Sequence, residues 1–157
     1  MNKFHIFILS GMILAGVAAA FFIMQPPKYQ PSTTGFLRPG DLELIAQGEL
    51  IYKQSCAVCH GANLEGQPNW RSPDADGYLP APPHDESGHT WHHRDELLFE
   101  LTKFGAAAFA GENFKTRMPQ FDGILSDEEI IAVLSYIKST WPEEIQKRHD
   151  ELDAQPQ

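Results

Sequence analysis

The pentapeptide Cys56-Ala57-Val58-Cys59-His60 constrains this chain more than any other feature. It holds the only two cysteines among 157 residues, with a histidine directly after the second. That spacing suits covalent attachment of a haem: two thiols add across two porphyrin vinyl groups, and the adjacent imidazole reaches the iron. Positions three and four apart share a helix face, so one helical turn turns all three side chains toward one ring. Other readings of the pentapeptide fit less well. A thioredoxin-like thiol pair needs a βαβ context, and no strand pattern with crossover helices appears. A zinc site needs two more ligands at short spacing, and there is no second cysteine pair. A disulfide between cysteines this close closes a small loop and gains little stabilisation.

Twelve basic against 21 acidic residues give a formal charge of −9, which argues against a nucleic-acid partner. Twelve prolines and 12 glycines predict a loop-rich domain. A small domain of that kind buries a poor core, and a large apolar cofactor would supply its centre.

The chain is apolar from Phe4 to Met24, interrupted only by His5 and Ser10. A helix of that length rises about 30 Å, one hydrocarbon thickness. Lys3 and the amino terminus put positive charge on the near side, which predicts a cytoplasmic start and an exported remainder. The apolar run passes Ala18-Ala19-Ala20 and stops only at Gln25-Pro26-Pro27. We therefore expect residues 1–24 to be an uncleaved transmembrane helix in the cell membrane, with the haem domain on the periplasmic side. Cleavage at the alanines, as a signal peptide, is the alternative. Residues 25–40 hold four prolines and no amphipathic period, and read as an extended tether.

The folded region is predicted over residues 41–142 and is all-α. Asp41 can cap a helix with Leu42, Ile45, Ala46 and Tyr52 as apolar positions. Gly48 lies inside that helix at a cost of about 1 kcal/mol relative to Ala, which a close approach of another backbone would explain. A middle helix is predicted from Arg94 to Phe104, burying Leu97, Leu98, Leu101 and Phe104 and stopping at Gly105. In the last helix Ser126 and Glu129 form a capping box and Leu125 and Ile130 a hydrophobic staple. Ile130, Val133, Leu134, Ile137 and Trp141 follow helical spacing up to Pro142. Residues 143–157 are charged with little apolar content, and are expected to be a frayed helical extension or a disordered tail.

This order of parts resembles class I cytochromes c, in which a helix precedes Cys-x-x-Cys-His, a long loop follows, Met-Pro supplies the second axial ligand, and a terminal helix crosses the first. Here the matching residues are Gly48, Tyr52 and Cys56 to Gly61, then Met118-Pro119-Gln120-Phe121, then Leu125 to Ile130 with Tyr136. The resemblance covers about residues 41–141. It implies a small cytochrome c fold, helices wrapped around one covalently bound haem c, with iron between His60 and Met118. Met118 is also the only methionine outside the N-terminal segment, and a thioether suits low-spin iron. In the family a proline carbonyl after the attachment site orients the histidine ligand. Pro82, in Leu79-Pro80-Ala81-Pro82-Pro83, is the best match. Trp70 and Arg71 are candidates to donate to the haem propionates, since an indole N–H and a guanidinium both suit carboxylates. Gly48 and Tyr136 would mark the helix crossing.

One segment departs from the family pattern. His84, His89, His92 and His93 all fall between Pro83 and Arg94. They are open to three readings: a solvated loop, a bis-histidine haem, or a second metal. The expected function is a membrane-tethered carrier of single electrons between membrane or periplasmic redox proteins. No catalytic constellation is evident, and Asp127-Glu128-Glu129 reads as first-turn helix charge. The alternatives are a haem enzyme or small-ligand sensor with a labile sixth ligand, and a metal-handling accessory protein using the His84–His93 loop. Lys53, Arg71, Lys103, Lys115 and Arg117 lie in segments that the family places around the haem, and would form a basic docking ring.

Overall fold

The computed structural model describes residues 35–110 and 114–155, and among these the regular structure is all helical. Helix α1, Leu42–Ile51, runs into a π-helical turn, Tyr52–Cys56, and then into α2, Ala57–His60. A 3₁₀ turn at Thr90–His92 precedes α3, Asp95–Phe104, and α4, Ala107–Ala110. Helices α5, Asp127–Thr140, and α6, Glu143–Asp153, complete the fold. The apolar segment Phe4 to Met24 lies outside the described residues. Among those described, no helix is long and apolar enough to cross a membrane.

The caps form as the sequence predicts. The Asp41 carboxylate accepts from the Leu44 N–H at 3.1 Å and starts α1. At the head of α5 the Glu129 N–H reaches Ser126 Oγ, and the Ser126 N–H reaches Glu129 Oε2 at 2.8 Å, so two orphan donors are satisfied reciprocally. Helix α5 buries Ile130, Ala132, Val133, Leu134 and Ile137, which pack with Leu44, Ile51, Tyr52, Leu98, Phe121 and Trp141 as one core. Helices α1 and α5 meet at Gly48. A Cβ on Gly48 would run into the Ala132 carbonyl oxygen and lie 2.9 Å from Tyr136 Cβ. The crossing therefore requires the missing side chain.

Helix α3 starts after Arg94 and stops at Gly105, whose φ of +87° few other residues adopt. Its buried face differs in part from the expected one. Leu98 is buried, Leu97 and Leu101 are half-buried, and Phe104 is 42% exposed. Thr102 is buried instead, its hydroxyl donating to Leu98 O at 2.8 Å, together with Asp95 at the N-terminus.

The folded region extends past both expected boundaries. Leu37, assigned to the tether, is 2% exposed and belongs to the core. Its N–H donates to Asp95 Oδ2 at 2.9 Å, and the Arg38 N–H donates to Ser135 Oγ at 2.9 Å. At the other end α6 is docked rather than frayed. Lys138 Nζ meets Asp150 Oδ1 at 2.7 Å, His149 meets the His93 carbonyl, and the Asp95 N–H donates to Asp153 Oδ1 at 2.9 Å. Both misplaced boundaries have one cause: these segments are held largely by polar contacts, which hydrophobic periodicity does not register.

The helix crossing yields a direct test. Gly48→Ala gains about 1 kcal/mol of helix propensity but forces a methyl group into a backbone carbonyl, and overpacking of that kind costs about 1–3 kcal/mol or more. We expect a net loss of roughly 1–2 kcal/mol in denaturant unfolding. A variant as stable as the parent would mean that α1 and α5 do not cross here.

Candidate haem site

The Cys-x-x-Cys-His segment sits where one helix changes its winding. At the Tyr52–Cys56 turn the Ala57 N–H bonds to Tyr52 O, five residues back, and such π-bulges are frequent at functional sites. Helix α2 then ends at Gly61, whose φ is +84°. The Tyr52 hydroxyl donates to Gly61 O at 2.9 Å and ties the far end of the motif to its start. Tyr52 is fully buried, and burial pushes its phenol far up, so it serves as a neutral strut.

Cys56 and Cys59 are both free and half-buried. Burial, with Cys59 second, pushes the Cys56 thiol up to about 11. A redox-active thiol pair needs a lowered pKa, and the shift at Cys56 runs the other way. His60 is 6% exposed, and its Nδ1 lies 2.9 Å from the Pro82 carbonyl oxygen. A carbonyl can only accept, so Nδ1 carries the proton and Nε2 keeps its lone pair. Burial holds His60 below the usual histidine range, with the Pro82 bond pulling the other way. A neutral imidazole oriented through its second nitrogen is how proteins present a histidine to a metal. Two half-buried thiols one turn apart and this imidazole fit a covalently attached haem.

The loop that returns Pro82 to His60 is stitched by its own backbone. Gly66 N–H donates to His60 O at 2.8 Å, Gln67 N–H to Ala81 O at 2.8 Å, and His84 N–H to Leu64 O at 2.7 Å. The Ala81 N–H reaches the Gln67 side chain at 2.9 Å. Met118 is half-buried against the core. Its segment is pinned on both sides: Arg117 pairs with Asp74 at 2.6 Å, and the Phe121 N–H donates to Lys103 O at 3.1 Å.

The four loop histidines are spread over separate partners. His84 stacks on His60 at 4.0 Å between centroids, with planes 22° apart. Its Nδ1 lies 2.8 Å from Thr90 Oγ1, and its carbonyl accepts from Trp141 Nε1 at 2.8 Å. Burial first, then His60 and His89, hold it well below the usual range. His84 packs on the flank of His60. His89 stacks on Trp70 at 5.1 Å, His92 stacks on Trp91 at 3.6 Å, and His93 stands edge-on to His89. Arg71 also lies over the Trp70 ring, at 4.0 Å.

The expected basic ring is largely neutralised by the chain itself. Lys53 pairs with Glu49, Lys103 with Asp127 and Arg117 with Asp74, each at 2.6 Å. Lys115 donates to the Asp76 carbonyl at 2.9 Å. The residues that sequence reasoning passed over are Tyr52 as strut to Gly61 and His84 as neighbour to His60. For His84 a signal was present, since it follows Pro82 by two positions.

Comparison with known proteins agrees with this geometry. The cytochrome c family model matches residues 45–141. The chain is 32% identical over 99 residues to cytochrome c6 of Diacronema lutheri, covering 60% of this chain and 94% of that protein. It is 25% identical over 96 residues to the cbb3-type cytochrome c oxidase subunit FixP of Bradyrhizobium diazoefficiens. That match covers 60% of this chain but only 29% of FixP. No solved structure matches. The chain belongs to the cytochrome c family, and the cofactor of its Cys56-x-x-Cys59-His60 motif is a covalently bound haem c.

Proposed function

We propose that this protein is a membrane-tethered carrier of single electrons that holds haem iron between His60 and Met118. The observation that carries the reading is the 2.9 Å contact from His60 Nδ1 to the Pro82 carbonyl, which leaves Nε2 as the ligating nitrogen. Bound haem supplies a one-electron couple at its iron. His60 contributes a neutral, pre-oriented ligand, Pro82 holds its tautomer, and His84 packs its flank. Met118 contributes a thioether, which raises a reduction potential relative to a second imidazole. Ligation by both His60 and Met118 would leave a substrate no place on the iron, which supports a carrier over an enzyme. Trp70 and Arg71 serve as donors toward the propionates in this reading.

The Phe4 to Met24 segment is the proposed anchor, with the haem domain on the non-cytoplasmic side. Because Leu37 is packed in the core, the tether is the span from Gln25 to about Thr34. A tether that short holds the domain near membrane partners at an effective concentration of about millimolar. The likeness to an oxidase subunit supports redox proteins as those partners. The internal pairing of Lys53, Lys103 and Arg117 favours encounter by tethering over steering by a basic ring.

Met118→Ala tests the axial assignment. It should abolish the weak long-wavelength absorption that reports methionine bound to ferric iron, and lower the reduction potential. An unaltered spectrum would remove Met118 from the iron. The anchor is tested separately by washing membranes with alkaline carbonate. The intact chain should stay in the pellet, whereas a soluble product beginning near Phe21 would establish a signal peptide instead.

A further inference from the structure

Where α3, α5 and α6 meet, the polar contacts that dock α6 leave a residue of unsatisfied chemistry. Asp95 Oδ1, His149 Nδ1 and Asp153 Oδ2 are buried without a hydrogen-bond partner. Their side chains are 3%, 0% and 6% exposed. Each such atom costs about 1–3 kcal/mol, more when charged, and a buried polar atom without a partner points to something that completes it. We propose that Asp95, His149 and Asp153 bind one divalent cation of the zinc class, through one oxygen of each carboxylate and Nδ1 of the imidazole.

Geometry comes first. One ligand atom from each of the three residues lies within 4.8 Å of the other two. The remaining atoms are already committed. Asp95 Oδ2 accepts from the Leu37 N–H, and Asp153 Oδ1 accepts from the Asp95 N–H, both at 2.9 Å. His149 Nε2 lies 2.9 Å from the His93 carbonyl oxygen and must donate to it. Nδ1 is then the lone-pair nitrogen, the same presetting that the Pro82 carbonyl imposes on His60 with the two nitrogens exchanged. Nδ1 stands 3.7 Å from Asp153 Oδ2, and Asp95 Oδ1 lies 3.6 Å from Nε2 on the same ring. Both separations are too long for a hydrogen bond. Two ligands each about 2.1 Å from a tetrahedral zinc stand roughly 3.4 Å apart.

Charge points the same way. Lys138 closes an ion pair with Asp150 at 2.7 Å and stands 3.8 Å from Asp95 Oδ1, outside hydrogen-bond range. One lysine then faces three buried carboxylates, Asp95, Asp150 and Asp153, and burial foremost, with Asp153 adding, pushes Asp95 up to about 6, an excess of negative charge that a divalent cation would relieve. An imidazolium would bring only a single positive charge, and burial foremost holds His149 down to about 4. The donor set selects the ion. Calcium takes six to eight oxygens and magnesium wants an octahedron rich in water, whereas one imidazole and two carboxylates in a dry site suit zinc. Asp95 begins α3, and His149 and Asp153 are one turn apart on α6, so the cation would fasten α6 and the Leu37 segment to α3.

The test uses the full-length, haem-loaded protein, stripped with a chelator and dialysed against zinc chloride, with zinc counted against haem iron by mass spectrometry. One zinc per iron is expected. Asp153→Asn keeps the acceptor for the Asp95 N–H but removes an anionic ligand, and should bind zinc at least tenfold more weakly with the haem spectrum unaltered. His149→Gln should do the same and serves if the first variant does not fold. Zinc should raise the thermal midpoint of the parent and leave both variants unmoved. A parent that retains less than one zinc per ten irons would overturn the proposal. So would equal zinc uptake by parent and variants, which would assign the metal to the histidine loop.

Discussion

The hydrogen bond between His60 Nδ1 and the Pro82 carbonyl is made by two residues 22 positions apart, and much of the domain is arranged to let them meet. It fixes the tautomer of the ring and leaves Nε2 as the nitrogen that would ligate the iron. To make it, the chain after Gly61 must double back, and Gly66, Gln67, Ala81 and His84 supply the backbone bonds that bring it there. His84 then covers the ring of His60, and Trp141, at the end of α5, holds His84 by its carbonyl. One side of the site is thus tied to the helical core through a sequence of named contacts.

That core is small and depends on two close approaches. Gly48 lets α1 cross α5 with nothing between the helix and the Ala132 carbonyl. The buried Lys138 joins α5 to α6 through Asp150. The first contact is steric. The second is a buried ion pair, in which removing either partner leaves an uncompensated charge at about 3–5 kcal/mol. A domain of this size buries a limited apolar surface of its own, so a bound haem would add to its core.

The parts legible in the sequence were those whose physics is local. The Cys-x-x-Cys-His spacing, the Asp41 and Ser126 caps, and the glycine stop at Gly105 each depend on residues within one or two turns. Gly48 was legible because a glycine inside a helix needs a reason, and close backbone approach is the common one. What escaped was long-range and polar. Leu37 is buried because Asp95 and Ser135, 58 and 97 residues away, accept from its N–H and its neighbour's. Residues 143–157 read as a frayed helical extension or a disordered tail, since periodicity counts apolar side chains and gives no credit to His149 or Asp150, which are buried through charge and hydrogen bonding. The histidine loop was left open between a solvated loop, a haem ligand and a second metal, because which ring each imidazole meets is set by the fold: His84 stacks on His60, His89 on Trp70, His92 on Trp91, and His93 stands edge-on to His89.

The central claim is that the carbonyl of Pro82 presents His60 to iron through Nε2. The most direct measurement is nitrogen-15 NMR of the His60 ring in the reduced, haem-loaded protein. The account predicts a proton on Nδ1 that exchanges slowly with solvent and shows coupling across the hydrogen bond to the Pro82 carbonyl, with Nε2 carrying none. A ring whose Nδ1 lacks a proton, or whose Nδ1 proton exchanges as fast as that of an exposed histidine, would contradict it.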